Sequence, residues 1–266
     1  MICLIQTERE FSQMCIKRGF LRRAPRFYVR CIGDGVYQSI YTGFKKYIQP
    51  ESPNYSAQKR KSYYISIGLR SIYSCYDEHV FSADKDSGGY APSDLIYKCR
   101  YSGPFNGIES DYQHMECRGF DILDEICTQE KLIEWWDAVQ VVDIGHRIHD
   151  IHLVEPLLLC GNIKDAQGEI SASFIQDIDA YVSYLDYVDS GVLSKDDSYD
   201  QRIRCGAKHQ LKLWRYCIGR NNVGLHEYIE ANYVRNMAWV QKYGIPATSL
   251  IQHRVFRVCD SLSSIA

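Results

Sequence analysis

Apolar residues recur with two different periods along this chain, and the change of period divides it. Near the start, Phe11, Met14 and Cys15 fall three to four positions apart with charges opposite them, which predicts an amphipathic helix over 7–18, stopped at Gly19. From Phe27 the period becomes two. Phe27, Val29 and Cys31 alternate with Tyr28, Arg30 and Ile32, Gly33-Asp34-Gly35 supplies a turn, and 36–41 reads as the returning strand of a hairpin. Residues 49–61, polar and with two prolines, read as a loop, and Tyr63, Ile65, Ile67 and Leu69 mark a third strand. Residues 82–116 are irregular, with short strands read at 80–81 and 95–101.

After Phe120 the period is helical. Leu132, Trp136 and Val139 share one face, and Glu155-Pro156 resembles a helix start. Phe174, Ile178, Tyr181, Val182 and Leu185 form a further stripe, with Ser171 and Ser173 as capping candidates before it. Ile203, Ala207, Leu211 and Trp214 mark another stripe. Leu225, Ile229, Tyr233, Met237 and Val240 mark a last one, ended by Gly244 and Pro246. Strands first and helices afterwards imply an α+β fold: an N-terminal helix and antiparallel sheet, then a mainly helical C-terminal half. The expected division is a sheet-containing region at 1–116 and a helical region at 117–266, packed on the sheet as one compact unit.

Four runs in the first quarter carry a family resemblance: Lys17-Arg-Gly-Phe-Leu-Arg-Arg, Arg26-Phe-Tyr-Val-Arg, Asp34-Gly-Val-Tyr-Gln and Tyr64-Ile-Ser-Ile-Gly. Together they resemble the bacterial domain-of-unknown-function family numbered 4304, whose members open with a helix ending in a Gly-Phe-basic stretch, an F-Y-R strand and a D-G-V turn. The resemblance implies a helix followed by strands. It implies no activity and no catalytic residue.

Composition changes this picture in three ways. The 21 tyrosines suit half-buried margins and recognition faces, because each has an apolar ring and a polar tip. The net charge of −2 hides an asymmetry: residues 1–70 carry 13 Lys/Arg against four acids, so the remaining chain is strongly acidic. A basic part docked on an acidic part accounts for this, and so does a polyanion partner. The 11 cysteines are odd in number and contain no C-x-x-C, so they are expected as reduced, mostly buried thiols in the cytoplasm. The opening residues lack a basic n-region, and no apolar window is long enough to cross a bilayer, so neither export nor a membrane is expected.

Phosphate-binding, dinucleotide-binding, esterase-elbow and zincin motifs are all missing, so an enzyme is not the leading expectation and no cofactor is implied. Two candidate sites remain. Asp143, His146 and Asp150 lie at i, i+3 and i+7, where one unbroken helix would converge them for a metal or for acid–base work. Gly145 is a natural break that returns them to solvent, and that bland reading is preferred. The second site is one side of the N-terminal sheet. If Phe27, Val29, Cys31, Val36, Ile40, Ile65, Ile67 and Leu69 face the core, then Arg26, Tyr28, Arg30, Tyr37, Tyr41, Tyr64 and Arg70 face outward, with Ser39 and Ser66.

Guanidinium groups among flat rings suit single-stranded nucleic acid, by phosphate pairing and stacking. They equally suit a protein interface. Acidic helices covering the face would remove both roles. The leading expectation is a non-catalytic intracellular binding protein with a protein partner, of bacterial immunity or defence type. The alternative is a phosphate- or nucleic-acid-directed enzyme using the basic face and the Asp/His cluster.

Overall fold

Helix α1 (Glu8–Lys17) forms where Phe11 and Cys15 repeat at helical spacing, and both are fully buried. Gly19, at φ +81°, ends it in a conformation that costs a side-chain-bearing residue energy. Four antiparallel strands follow in the order β1 (Leu21–Ala24), β2 (Phe27–Ile32), β3 (Val36–Tyr47) and β4 (Arg60–Ser71). The fold is therefore α+β: an N-terminal helix, an antiparallel sheet, then a mostly helical C-terminal half. The computed structural model describes residues 8–47, 60–75, 79–82, 111–143, 153–192, 196–218 and 222–247. The expected strand at 95–101 and most of the expected loop at 49–61 lie outside these, although Arg60 and Lys61 already belong to β4.

The register fixes which residues share a face. Ile32 pairs with Val36 across the 33–35 turn, and Arg30 with Gln38, Tyr28 with Ile40, Ile40 with Ile67 and Gln38 with Leu69. Directly paired residues point the same way. Tyr28, Arg30 and Ile32 therefore share a face with Val36, Ile40, Ile65, Ile67 and Leu69. Phe27, Val29 and Cys31 share the opposite face with Tyr37, Ser39 and Tyr41. The expected assignment put Phe27, Val29 and Cys31 with Val36 and Ile40, which the register corrects.

Both faces are covered. The first packs on Phe11, Cys15 and Phe20 and on a helical run made of α3 (Asp111–His114), a π-helical turn (Met115–Gly119) and α4 (Phe120–Glu125). Leu132 and Trp135 of α5 (Gln129–Asp143) complete that core. The second face meets α2 (His79–Ser82), which is helical where a short strand was expected. Phe81 sits against Tyr37 at 5.1 Å and against Trp239 at 5.5 Å, and the Tyr37 hydroxyl donates to the Val80 carbonyl. Past the end of β1, the Cys31 amide donates to the Pro246 carbonyl, and Cys31 bridges Ala247 in parallel. All six residues of β2 are buried in consequence.

The chain divides into two compact units. One comprises Met1–Ile72, Tyr76–Val139 and Asn236–His253, the other Tyr73–Cys75, Gln140–Arg235 and Arg254–Ala266. Residues 117–139, placed by sequence with the helical half, belong to the sheet unit. The second unit contains α6 (Val154–Leu159), α7 (Ile163–Asp189) and α8 (Asp197–Ile218). Helix α9 (Asn222–Lys242) contributes its first part to the second unit and its last turns to the first. Gly244, at φ +61°, closes it where the sequence places the stop.

Helix α7 begins eight residues before the expected serine caps. Ser171 lies inside it, its hydroxyl bonded back to the Gln167 carbonyl at 2.9 Å. Its inward side is formed by Ala166, Ile170 and Ser173, and Gln210 of α8 donates to Ser173 and Asp177 at 3.2 and 2.7 Å. Tyr184 meets Asp196 further along, so α7 and α8 run antiparallel. The predicted stripe Ile178, Val182 and Leu185 is not the inward one. On α8, Leu213 and Cys217 are buried while the predicted Leu211 and Trp214 are exposed.

Candidate functional site

The structure does not bring the predicted basic and aromatic residues onto one face. Tyr28 and Arg30 lie on the first face of the sheet, both buried. Tyr37 pairs with Arg70 and lies with Tyr41 on the opposite face, where Tyr37 is buried and the other two are half-buried. Tyr64 occupies β4 opposite Gly43. Arg26 sits in the turn between β1 and β2 at φ +67° and forks onto both carboxylate oxygens of Glu8, at 2.9 and 3.2 Å. That pairing raises the Arg26 pKa further.

Arg30 shows what a buried cation does here. Its guanidinium donates to Gln38 Oε1 at 2.9 Å, to the Arg18 carbonyl at 2.6 Å and to Asp124 Oδ1 at 2.6 Å, and lies 4.2 Å over the Phe20 ring. Burial lowers its pKa, and the Asp124 carboxylate opposes that shift. Five donors in a planar fork suit this wedge between strand, loop and helix. With Tyr28 and Tyr37 also enclosed, the sheet offers no stacking platform at those positions. Of the Asp/His cluster, Asp143 is the last residue of α5, while His146 and Asp150 lie outside the described residues. Among the described residues no group of three or more His, Cys, Asp or Glu is arranged to hold a metal. Among them, too, no helix is long and apolar enough to cross a membrane.

Two features outside the sequence-predicted sites stand out in the second unit. The first is Glu155, in α6, wholly enclosed among Leu153, Val154 and Leu157–Leu159. Burial pushes its carboxyl up to about 7, against the pull of hydrogen bonds from Tyr228, Ser74 and the Cys75 amide. The Tyr228 hydroxyl lies 2.9 Å from Glu155 Oε1 and 3.1 Å from His209 Nε2. It has one proton, so donating to either neighbour means accepting from the other. The arrangement couples a buried carboxyl to a half-buried imidazole, and the Cys217 thiol nearby is pushed up to about 11, first by burial and then by Glu155. The sequence signal is a single acid inside the run Leu-Val-Glu155-Pro-Leu-Leu-Leu.

The second feature is the outer side of α7. Ile175, Ile178, Val182 and Leu185 are 59%, 45%, 51% and 38% exposed, and Tyr187 is exposed beyond them. At 3.6 residues per turn, this stripe lies roughly 130° around the helix from the side that meets α8. Isolated exposed aliphatic residues are ordinary, but four in one line on one helix are not. Exposed Asp179, Asp186 and Asp189 border the stripe. Compared with known proteins, the chain matches no family model, no curated protein and no solved structure.

Proposed function

We propose that this chain is a non-catalytic protein-binding module whose docking face is the exposed apolar stripe of α7. The observation that carries this is the exposure of Ile175, Ile178, Val182 and Leu185 on a helix whose opposite needs are already met by Gln210 and Ser173. Fully burying such a side chain gains about 1.5–3 kcal/mol, so covering four that are half in water gains about 3–6 kcal/mol before ordering costs. A reducing, cytoplasmic setting accords with this reading, since Cys15, Cys31 and Cys217 are buried thiols with raised pKa values. The family resemblance of the first quarter adds no activity to it.

A photo-crosslinking residue placed at Ile178 in the full chain, expressed in its own host, tests the reading. One dominant crosslinked partner is expected, lost when Val182→Asp is added. The same probe at Val234, exposed on α9 away from the stripe, is the control. Equal labelling from both positions would refute a dedicated docking face.

A further inference from the structure

If α7 docks a protein, as just proposed, the stripe itself defines what that protein must present. Ile175, Ile178, Val182 and Leu185 recur at alternating steps of three, four and three, the spacing of a heptad seam. Ile175 and Val182 take the a positions, Ile178 and Leu185 the d positions. β-Branched residues at a favour two-stranded pairing, so the matching surface is a single helix lying alongside. A strand, with side chains repeating every second residue, does not fill such a seam.

Charge decides which helix. Residues 174–192 contain Asp177, Asp179, Asp186 and Asp189 and no Lys or Arg. Asp177 is engaged by Gln210, but Asp179 and Asp186 occupy the e positions directly beside the seam and are exposed, as is Asp189. A second copy of α7 has nothing to set against them. Laid antiparallel, it opposes e with e and brings acids together. Laid parallel, it joins two acidic stretches that hold no cation between them. We propose that the α7 stripe binds a basic amphipathic helix of a partner protein, with aliphatic residues at its own a and d positions and Lys or Arg facing Asp179 and Asp186. Apolar burial supplies the hold and the aspartates select the partner.

Three labelled synthetic helices of about three heptads test this by fluorescence polarisation against the full chain. All carry Ile at a and Leu at d, with Lys, Gln or Glu at e and g. The Lys helix is expected to bind at least about tenfold more tightly than the Gln helix, with the Glu helix weakest, and the preference should shrink as salt is raised. Asp179→Asn with Asp186→Asn should erase the Lys preference while leaving Gln-helix binding in place. Ile178→Asp with Val182→Asp should abolish binding of all three. Equal affinity for the three helices, lost in the Ile178/Val182 variant, would keep α7 as a docking face and overturn the basic partner. Self-association of the wild-type chain, removed by that variant, would overturn it in favour of a second copy. Lys-helix binding that survives the variant would reduce the effect to general charge attraction and overturn the seam. A monomeric chain that binds none of the helices would overturn the docking face as well.

Discussion

Replacing Glu155 by Gln should stabilise this protein at alkaline pH and leave it nearly unchanged in acid. The carboxyl is buried in α6, and its pKa rises from 4.5 to about 7 because the enclosure penalises the anion more than Tyr228, Ser74 and the Cys75 amide support it. Below pH 4.5 both folded and unfolded chains hold the proton, and the group costs nothing. Between pH 4.5 and about 7 the unfolded chain releases the proton while the folded one keeps it, so stability falls as pH rises. Above 7 the fall is complete. A shift of this size corresponds to roughly 3 kcal/mol, since each pKa unit is about 1.4 kcal/mol. Glutamine has the same shape, accepts the Tyr228 hydroxyl and does not ionise, so it carries no such term. The assay is denaturant unfolding of both proteins at pH 5, 6.5 and 8. Comparing the two at each pH cancels every other titrating group. Amide exchange at Leu157–Leu159 reports the second unit alone. The expected gain for Glu155→Gln is about 1 kcal/mol at pH 5 and roughly 3 kcal/mol at pH 8. A wild-type chain more stable than the variant at pH 8 would mean that the anion is the favoured form, and the argument from burial would be refuted.

Three further outcomes are expected. Arg30→Ala should lower stability by about 2–3 kcal/mol in thermal melts, because it removes the charged donor from Gln38 Oε1 and the Arg18 carbonyl and the packing on Phe20, while Asp124 keeps Arg18. Gly33→Ala should cost more than about 2 kcal/mol, since its new Cβ would run into the Cys127 carbonyl at a φ of +58°, whereas Gly19→Ala, with nothing within 4 Å, should cost only the backbone strain of about 1–2 kcal/mol. Ile178→Asp should leave unfolding midpoints within about 0.5 kcal/mol of wild type, while Ile170→Asp, buried on the same helix, should unfold the second unit as followed by amide exchange.

The elements of the first unit were largely legible. The Phe11/Cys15 spacing, the alternation after Phe27 and the glycine-flanked turn at Asp34 each have one local solution. Which way the strands face was not legible. Alternation separates core from solvent only when one face is wet, and β2 is buried on both. Arg30 looks like a surface residue until Asp124, far along the chain, arrives to pair with it. The helices of the second unit show the converse failure. Ile178, Val182 and Leu185 form the stronger apolar stripe of α7, yet the side that packs uses Ala166, Ile170 and Ser173, because Gln210 satisfies its polar members. Periodicity finds a stripe but does not say whether the chain itself covers it. Glu155 left a visible mark, one carboxyl amid leucines, which a search for clustered ligands passes by.

The strand-like contact of Cys31 with Ala247 has a consequence for how the protein is made. The second face of the sheet is completed only when the segment that carries Pro246 and Ala247 reaches Cys31, so on the ribosome β2 to β4 are made long before Cys31 gains these partners. Until Asn236 and the residues after it have been made, the nascent chain lacks the partners of Cys31 on that face, the kind of intermediate that aggregates or recruits a chaperone. A premature stop between Ser82 and Asn236 would leave that cover incomplete for good, so truncated products should be less soluble even though every strand of the sheet has been synthesised.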